Sequence, residues 1–486
     1  WLKLAVYAPG LGDQGMHRLS FAAISVVHLQ LLLLVEFTCF SGGCSQEPMA
    51  ESPIIKYIQG FKWANQTAAT QHLTKRAILD LLGCALAGSA HKTVPGVVDT
   101  MKGIDGEGAF TVWGTNKTLS LKGAIFMNAY TGALFDMDDG HRRAQGHPGA
   151  VIVPVVLTLG AKLRRSGVKV LEALAVGYDV AIREAVRIRE AGGPRKGSSG
   201  WAAPGAAAAA GKLLDLTDEQ MANAIGLSEY FTPQAGQDRS VQYPSMMKEG
   251  IPWGAYTGTF CAMLAKGGFT AHRPHLADAE ELCKDLGERI EVEFTYYKKW
   301  AACRWAHPAL SGLETCKAET EGFNISMVKH VNIRTFEKGL LLNNRKPKNT
   351  LQAVYSIPFS VAYWLKHGKI EPDDVKEDEK MVNDPEVLDM AQRIDMEHAE
   401  EYTAKFPLQC IQDIIVTMQD GTTWTKKELE SPGDPGERAF SDEQIKKKFQ
   451  TLSQPIVGAT WEELVKLVET LELVTDVSFL TDRMAG

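Results

Sequence analysis

The chain has 486 residues, of which 45% are hydrophobic and 23% are charged, and its formal net charge is −7. This length is too great for one simple core, so we expect two domains. The acidic balance is not typical of proteins that bind nucleic acids, or of proteins that bind membranes through a basic face. None of the eight cysteines forms a Cys-Xaa-Xaa-Cys pair, so neither structural zinc nor a disulfide framework is indicated.

Residues 1–50 are interpreted as an extension that precedes the globular chain. After Met16 come a short basic stretch, an apolar run over 19–35, and small residues before Cys44. This is the order of regions in a secretory signal. A lipoprotein with Cys44 as the lipidated residue and a single membrane anchor are alternatives, and a buried helix is a further one. With a working signal the protein would be exported, to the periplasm or to a lipid anchor; otherwise it would be cytoplasmic.

Residues 51–289 are predicted to form a helical domain, because apolar residues recur at helical spacing. Five consecutive alanines at 206–210 indicate close contact between helices at the centre of a bundle. Thr217 is in the right place to cap a helix that follows it. The predicted helices cover residues 74–87, 151–163, 170–189, 201–214, 217–230 and 248–267.

Residues 290–452 are predicted to form a smaller α+β domain. Polar and apolar residues alternate over 327–336, which predicts a half-buried strand. An Asp-Gly turn after 411–418 predicts a hairpin. Residues 453–486 are predicted to return to the helical domain, so the fold class is mainly α, with a large helical bundle and a smaller α+β lid. Other segments are read as extended (290–297), helical (308–318, 351–366 and 460–471) and a solvated loop (373–380).

Ionisable side chains are concentrated in the fifteen residues 135–149, where three aspartates, two histidines and two arginines lie between apolar helical segments. Ionisable groups held between buried segments must lose their hydration, pair with an opposite charge, or take part in binding or catalysis. Asp136, Asp138 and Asp139 cannot all face one way on a helix, and His147 precedes a Pro-Gly turn. These carboxylates could bind Mg²⁺, but we find no second acidic cluster of similar spacing, so a metal is the weaker interpretation.

A second dense patch of basic and aromatic residues covers 296–308, at the proposed domain junction. It contains Lys298, Arg304 and His307, while Arg239 lies in a polar loop nearer the N-terminus. Binding sites often form at domain junctions. Cationic patches combined with histidines suit a small di- or tricarboxylate, because carboxylates pair with arginine and lysine, and a proton beside a carboxylate needs a base with a pKa near neutral.

Seven short segments occur together along the chain: Asp136-Met137-Asp138-Asp139, His147-Pro148-Gly149, the alanine-rich 204–211, Met247-Lys248-Glu249-Gly250, Tyr297-Lys298, 304–308 and Asn344-Arg345-Lys346-Pro347. In combination, these segments resemble the MmgE/PrpD family, which includes 2-methylcitrate dehydratase, cis-aconitate decarboxylase and iminodisuccinate epimerase. The resemblance covers about residues 51–475. It implies a helical domain built from the N-terminal half and the C-terminal end, an α+β lid, a metal-free site in the cleft that uses no cofactor, and a homodimer.

The resemblance also implies roles for single residues. His147 would give or take a proton, Asp136 would orient groups or take a proton, and Lys298 would hold a carboxylate and stabilise the enediolate charge that develops. These three are the predicted catalytic residues. The predicted substrate-binding residues are Asp139, His141, Arg142, Arg239, Arg304 and His307.

The activity that the resemblance implies is a cofactor-independent lyase of the hydro-lyase type, which abstracts a proton beside a carboxylate of a small acid similar to 2-methylcitrate. One alternative is an epimerase or racemase of an amino- or imino-dicarboxylate, and another is an exported carboxylate-binding protein without catalysis. Gly140 stands where the decarboxylase has Thr, one extra residue precedes His147, and Leu341 stands where the decarboxylase has a lid tyrosine. These departures argue against itaconate formation.

Overall fold

A computed structural model describes residues 51–192, 196–376 and 378–485 of the chain. The predicted signal or anchor segment lies outside the described residues. Within the described part of the chain, no helix is both long enough and apolar enough to cross a membrane.

The fold is mainly α with a smaller α+β part, as the sequence predicted. The helices are α1 (Pro53–Gly60), α2 (Ala68–Gly88), α3 (Val94–Asp105), α4 (Leu121–Ala133), α5 (Gly149–Lys162), α6 (Gly167–Glu190), α7 (Ser198–Leu213), α8 (Asp218–Phe231), α9 (Ile251–Lys266), α10 (His307–Glu319), α11 (Ile357–His367), α12 (Pro385–Gln392), α13 (Asp442–Val457) and α14 (Thr460–Glu469). Helices α1, α2 and α4 to α9 contribute to the larger buried cluster, and α13 and α14 return to it. The buried residues of α3 and of α10 to α12 belong to the cluster that contains the sheet.

Helix α7 is the centre of the helical part, and every one of its residues is buried. Its alanines and glycines let two neighbouring helices approach its backbone closely. A Cβ atom on Gly205 would lie under 3.0 Å from the carbonyl of Gly177 in α6, and one on Gly258 of α9 would lie equally close to the carbonyl of Ala203. This is the close contact that the run of alanines predicts, because larger side chains would hold the helices apart.

The C-terminal segment packs against the helical part. A Cβ atom at Gly83 of α2 would lie 3.1 Å from the Phe449 ring and 3.4 Å from the Leu452 side chain of α13, so the two helices are in close contact there. Val477 and Leu480 belong to the same buried cluster as α5 and α6. The return to the helical part starts with α13, so the boundary predicted at residue 452 falls inside this helix.

The α+β part is built on a four-stranded sheet. Its strands are β5 (Val328–Thr335), β6 (Ile394–His398), β7 (Ile411–Met418) and β8 (Thr423–Glu430), in the order β6-β5-β7-β8. Strand β5 pairs parallel with β6 and antiparallel with β7, and β7 forms the predicted hairpin with β8. Gly421 in the hairpin turn has φ +88°, which explains why an Asp-Gly pair suits it. Side chains of β5 and β7 pack against α10 and α11 in one cluster.

The described chain also contains two short antiparallel strand pairs. Strand β1 (Phe110–Thr111) pairs with β2 (Thr118–Leu119), and β3 (Gly140–His141) pairs with β4 (Thr295–Tyr296). The prediction of an extended segment at 290–297 is therefore only partly right, since a 3₁₀ turn at Glu291–Phe294 precedes β4. The β3–β4 pair matters for function, because it ties the ionisable segment to the entry of the α+β part.

The helix predicted over 351–366 is interrupted. A short helix ends at Val354, and α11 begins at Ile357 with Ser356 as its N-cap residue. The Ser356 hydroxyl accepts the N–H of Phe359 at 3.1 Å. Pro358 lacks the N–H that would bond to the Val354 carbonyl, so one continuous helix is disfavoured. The break leaves Tyr355 outside both helices.

The charged run 373–380 was predicted to be a solvated loop, and the structure corrects this. Short helices cover Pro372–Val375 and Asp378–Val382. A capping box between Glu371 and Asp374 and a proline at the first helical position explain the first of them.

Candidate active site

A cavity of about 630 Å³ lies between the helical part and the α+β part. Both parts contribute to its wall, in agreement with the expectation that a site forms at their junction. Its lining includes residues from the ionisable segment, from the two loops around residues 240 and 300, and from the α+β part. Among them are Asp136, His141, Arg142, His147, Gln237, Glu249, Tyr296, Arg304, Lys338, Leu341 and Tyr355.

Asp136 is the centre of the charged floor of this cavity. Its carboxylate lies 2.6 Å from the Lys248 ammonium, 3.1 Å from the Lys298 ammonium and 3.4 Å from His147 Nε2, and the Tyr355 hydroxyl is 3.4 Å away. Burial alone would raise the pKa of Asp136, but the charges of Lys248, Lys298 and His147 outweigh it and hold this pKa well below its usual range. Asp136 is therefore a permanent anion that organises its neighbours.

His147 is held so that one nitrogen faces the floor. Its Nδ1 donates to the Asp139 carbonyl at 2.7 Å, and its backbone N–H donates to the Ser198 hydroxyl at 3.0 Å. Because a carbonyl only accepts, the neutral ring carries its proton on Nδ1 and a lone pair on Nε2, on the side of Asp136. The Asp138 carboxylate lies 3.2 Å from Nδ1, so carboxylates of two aspartates flank the ring.

Glu249 lines the cavity, whereas the buried Lys248 and Lys298 lie beneath its lining, against Asp136. Lys248 and Glu249 belong to a left-handed turn. Their φ values are +42° and +58°, and Gly250 follows at +67°. Left-handed backbone costs a non-glycine residue roughly 1–2 kcal/mol. The helix predicted to start at Lys248 therefore starts only at Ile251, because the turn replaces its first residues. No role was assigned to Lys248 or Glu249 from the sequence, although both belong to a segment that carries the family resemblance.

Glu249 connects three elements around the cavity. One of its oxygens accepts the N–H and the hydroxyl of Ser198 at 3.1 and 2.5 Å, at the start of α7. The other accepts the Gln237 amide at 2.6 Å and the Tyr355 hydroxyl at 3.2 Å. Burial alone would raise the pKa of Glu249, but Lys248, His147 and these hydrogen bonds lower it. A carboxylate at a helix N-terminus is also favoured by the helix dipole.

Tyr355 is a third residue to which the sequence assigned no role, after Lys248 and Glu249. Its hydroxyl accepts from Lys248 at 3.1 Å and donates to Glu249. Burial, together with the charges of Asp136 and Glu249, raises its pKa well above the usual value. Tyr355 therefore remains a protonated hydroxyl beside the floor. The break between Val354 and Ile357 is what places it there.

His141 lies in the cavity wall, where β3 pairs with β4. Its Nε2 is 3.2 Å from a Glu291 carboxylate oxygen, and Arg143 and Arg289 bind the same carboxylate at 2.5 and 3.0 Å. Burial lowers the pKa of His141 despite the opposing effect of Glu291. Burial alone would raise the pKa of Glu291, but His141 and the two arginines lower it to about 2. His141 is therefore a neutral ring beside the ionised Glu291 carboxylate, whose charge the two arginines balance.

The two predicted arginines of the wall differ in their partners. Arg304 binds Asp434 through two contacts of 3.0 and 2.6 Å and stacks on the Tyr296 ring at 4.6 Å. Arg142 donates to the Leu408 carbonyl at 3.0 Å, and in the described part of the chain no carboxylate lies within ion-pair distance of it. Arg142 is thus the better candidate for a substrate carboxylate, because the charge of Arg304 is already compensated.

Asp139 lies below the floor and does not line the cavity. Its carboxyl group accepts the Tyr178 hydroxyl at 2.6 Å and the N–H of Gly149 at 3.0 Å. Burial raises the pKa of Asp139 to about 7. It supports the turn that carries His147 and is not in reach of a ligand.

Arg239 and His307 also lie away from the cavity lining. Arg239 is exposed on the short helix Gln237–Ser240, and it is Lys248 that brings a cation to the floor. His307 is completely buried, and its Nε2 donates to the Ala302 carbonyl at 3.1 Å. Burial and the nearby Lys298 charge lower the pKa of His307 to about 3, so it is a neutral packing residue.

The floor also satisfies the minimum geometry for a metal site, since ligand atoms of Asp136, Asp138 and His147 lie within 4.8 Å of one another. The ammonium groups of Lys248 and Lys298 already sit against Asp136. Two built-in cations at this carboxylate would repel a divalent ion. The donor set therefore fits a metal poorly.

The chain matches known proteins over most of its described residues. Family models match the chain over residues 52–290 (MmgE/PrpD N-terminal domain) and 300–473 (MmgE/PrpD C-terminal domain). The chain is similar to the cis-aconitate decarboxylase of Homo sapiens, with 26% identity over 88% of this chain and 93% of that protein. It is also similar to the cis-aconitate decarboxylase of Aspergillus terreus, with 24% identity over 84% of this chain and 90% of that protein. The chain belongs to the MmgE/PrpD family.

Proposed function

We propose that this protein is a lyase-type enzyme, independent of any cofactor, that moves a proton beside a carboxylate of a small di- or tricarboxylate. One observation carries the proposal: a single carboxylate oxygen, Asp136 Oδ1, lies within 3.4 Å of a base, a cation and a hydroxyl. These are His147 Nε2 at 3.4 Å, the Lys248 ammonium at 2.6 Å and the Tyr355 hydroxyl at 3.4 Å. The pKa of Asp136 is depressed, while the pKa values of Lys248 and Tyr355 beside it are raised. Environments that push pKa values apart in this way separate acid from base roles.

His147 Nε2 is the proposed base. It takes the proton from the carbon beside the substrate carboxylate, and the electron pair of the broken C–H bond moves into that carboxylate as an enediolate. The imidazolium that forms lies between the carboxylates of Asp136 and Asp138, which offset its charge. Lys248 and Lys298 stabilise the charge on the enediolate, because fixed cations act most strongly where water is excluded.

In the dehydration form, the enediolate electrons return, a C=C bond forms, and the C–O bond to a hydroxyl group breaks. The departing hydroxide needs a proton to leave as water. Tyr355 is the proposed donor, and the adjacent Lys248, which donates to the Tyr355 oxygen, restores its proton. The raised pKa of each group keeps the proton available at neutral pH.

We assign one substrate carboxylate to the floor lysines and a second to Arg142 in the wall. Arg142 lines the cavity, is half-buried and binds only a backbone carbonyl in the described chain. The exposed Lys338 lines the same cavity and adds positive charge there. A substrate with two separated carboxylates suits both positions.

Decarboxylation is the second candidate reaction, and the names of the similar proteins favour it. In this form the reaction starts with His147 as an imidazolium that has taken a proton from solvent. The C–C bond to a carboxylate breaks, CO₂ leaves with the carboxylate's charge left on carbon as a carbanion, and this carbanion takes the Nε2 proton of His147. Epimerisation would need a second acid or base on the opposite face of the substrate. The neutral His141 in the wall is the residue in the described chain that we would assign to that role.

The test is an NMR assay in D₂O with citrate, 2-methylcitrate, cis-aconitate and amino-dicarboxylates. Deuterium exchange with loss of water supports the hydro-lyase, loss of CO₂ supports the decarboxylase, and exchange with inversion alone supports the epimerase. His147→Ala and Lys298→Ala should each lose the reaction that wild type shows. Binding without any exchange or turnover would instead make the protein a carboxylate-binding protein.

We also propose that the protein is a homodimer that pairs through the outer face of α9. Trp253, Tyr256, Phe260 and Met263 recur at a spacing of three and four residues and so share one face. Three of them are exposed large apolar side chains, at 48%, 37% and 39%. Further exposed apolar residues lie nearby in the chain, namely Tyr230, Phe231, Tyr243, Met247 and Phe269.

The charges beside this face suit a second copy of the chain. Lys122 lies over the Tyr256 ring at 4.5 Å and the Phe260 ring at 5.2 Å, and Asp105 is 3.4 Å from Lys122. A twofold interface needs a self-complementary patch. A face that holds one cation and one anion beside an aromatic stripe meets this requirement, and exposed apolar patches of this kind mark interaction sites.

A further inference from the structure

We infer that Glu229, His272 and His275 form a binding site for a divalent transition-metal ion, separate from the catalytic cavity. One ligand atom from each residue lies within 4.8 Å of the others. A Glu229 carboxylate oxygen is 2.7 Å from Nδ1 of His275 and 3.9 Å from Nδ1 of His272. The centres of the two imidazole rings are 5.2 Å apart. Small side-chain rotations bring all three atoms to the distances of a metal centre.

Helix α8 fixes the positions of both histidines. The Asn223 side chain accepts the N–H of the residue before His272 at 2.9 Å, and Gly226 lets the His272 carbonyl approach the helix closely. Glu229 itself accepts the backbone N–H of His275 at 3.1 Å. Three contacts from one face of a helix therefore hold the ligands before any ion binds, so little ordering is required on binding.

The charge of Glu229 is a second, independent reason to infer a metal ion at this site. Its side chain is only 3% exposed, and within the described chain the two histidines are its only side-chain partners at ion-pair distance. The neighbouring Glu184 is already bound by Arg187 through two contacts of 2.7 Å, so this arginine is engaged elsewhere. A buried carboxylate without a lysine or arginine partner is costly. A metal ion held with the histidines would remove that cost.

The donor chemistry selects the class of ion. Two imidazole nitrogens and one carboxylate oxygen suit Zn²⁺ and similar first-row ions, whereas Mg²⁺ and Ca²⁺ prefer oxygen ligands. The side chains of His272 and His275 are 40% and 53% exposed, so water can complete the coordination. Binding requires His275 to release the Nδ1 proton that it shares with Glu229, and His272 to give up its bond to the Arg273 carbonyl.

The ion would fasten the C-terminal turn of α8 to the segment that contains both histidines. This turn leads directly into the loop whose Gln237 lines the catalytic cavity and binds Glu249. The expected effect is therefore on stability of this region. It does not depend on the proposed reaction.

The test measures Zn²⁺ binding to the full chain by isothermal titration calorimetry, with thermal unfolding as a second readout. Wild type should bind Zn²⁺ with a raised melting temperature. The double variant H272Q/H275Q should lose one equivalent of Zn²⁺, or bind it at least tenfold more weakly, and should show no such rise. The matched control H72Q/H398Q changes two other exposed histidines, each paired with an acidic side chain, and should behave as wild type.

Unchanged stoichiometry and affinity in H272Q/H275Q, or no Zn²⁺ binding by wild type, would overturn the inference. The variant H147Q separates this site from the catalytic floor, because it should retain the Zn²⁺ equivalent. If H272Q/H275Q does not fold, E229Q with Co²⁺ as a probe replaces it. The visible absorption of bound Co²⁺ should be present in wild type and absent in E229Q, and its persistence in E229Q would equally overturn the inference.

Discussion

Lys248 and Asp136 face each other across 2.6 Å, and both have left-handed backbone, with φ of +42° and +53°. Each conformation is unfavourable for a residue with a side chain, at a cost of roughly 1–2 kcal/mol. The two residues nevertheless meet in one buried ion pair. The surrounding fold must therefore stabilise a backbone conformation that each residue alone would disfavour. Strain of this kind is found most often where function requires a fixed arrangement.

The first prediction concerns Lys248. We expect Lys248→Met to lower kcat/KM on the order of 100-fold or more, because it removes a cation from the place where negative charge develops. Steady-state kinetics on the substrate identified by NMR is the measurement. Arg239→Met is the matched control: the exposed Arg239 should tolerate the change with kinetics close to wild type. A larger loss in the Arg239 variant than in the Lys248 variant would reverse the assignment of the floor cation.

The second prediction concerns the Tyr355 hydroxyl. Tyr355→Phe should lower kcat on the order of 10- to 1,000-fold with a smaller change in KM, because general acids contribute to the chemical step. Tyr363→Phe is the control. Tyr363 lies on α11, close in the chain, and its hydroxyl bonds to Asp374 away from the cavity. If Tyr355→Phe raises KM and leaves kcat unchanged, the hydroxyl binds substrate and does not donate a proton.

Periodicity in the sequence was enough to predict most of the helices, the central strand and the hairpin, since these depend on which faces are buried. The density of charged residues over 135–149 pointed to this segment, but within it the family resemblance, and not the spacing, singled out Asp136 and His147. The sequence did not show which other residues reach them. Lys248 needs a left-handed turn that no spacing rule reveals, and Tyr355 needs a break inside a segment with helical pattern.

The residues that were assigned to the site but lie elsewhere have a common physical cause. Burial and side-chain partners decide whether a charged residue can reach a ligand, and neither follows from residue type. Arg239 is a loop cation that faces solvent, and His307 is a histidine enclosed by the core. Arg304 lines the cavity, but Asp434, 130 positions away in the chain, compensates its charge. Only the fold brings that partner to it.

The third prediction concerns Gly140, where the sequence departs from the decarboxylase pattern. A Cβ atom at Gly140 would lie under 3.0 Å from the Tyr296 hydroxyl and ring. Gly140→Ala should therefore destabilise the protein by roughly 1–3 kcal/mol and lower turnover, because the Tyr296 ring must shift in the cavity wall. Chemical denaturation and kinetics measure the two effects.

Two further variants identify the cause of the Gly140 effect. Tyr296→Leu removes the atoms that clash, so it should restore part of the stability when combined with Gly140→Ala. Gly103→Ala is the matched control, since a Cβ atom at Gly103 in α3 meets no atom within 4 Å, and alanine there should be neutral or stabilising. Equal effects at Gly103 and Gly140 would contradict the steric explanation.

The fourth prediction concerns the outer face of α9. Trp253→Glu combined with Phe260→Glu should convert the proposed homodimer to a monomer, because two charges would be buried without partners in the interface. Light scattering coupled to size-exclusion chromatography measures the mass. Leu473→Glu is the control, since Leu473 is a large apolar residue that is 76% exposed outside α8 and α9. A wild-type monomer, or a dimer that persists in the double variant, would refute the interface.

The last prediction follows from the raised pKa of Asp139, which burial brings to about 7 from its usual value of 3.8. A carboxyl group with a raised pKa binds its proton more tightly in the folded state than in the unfolded state. Its contribution to stability is complete below pH 4 and is lost as the pH rises through 7. Wild type should therefore lose roughly 1–4 kcal/mol of this contribution between pH 4 and pH 8.

Asp139→Asn isolates this effect, because the amide is neutral at every pH and can accept the N–H of Gly149 as the carboxyl group does. The free energy of unfolding, measured by urea denaturation between pH 4 and pH 8, should fall less steeply in the variant than in wild type. The difference between the two curves should open between pH 4 and 7 and then remain constant. Parallel curves would mean that Asp139 is ionised in the folded protein throughout, in which case the Tyr178 hydroxyl and the Gly149 N–H stabilise a buried anion beneath His147.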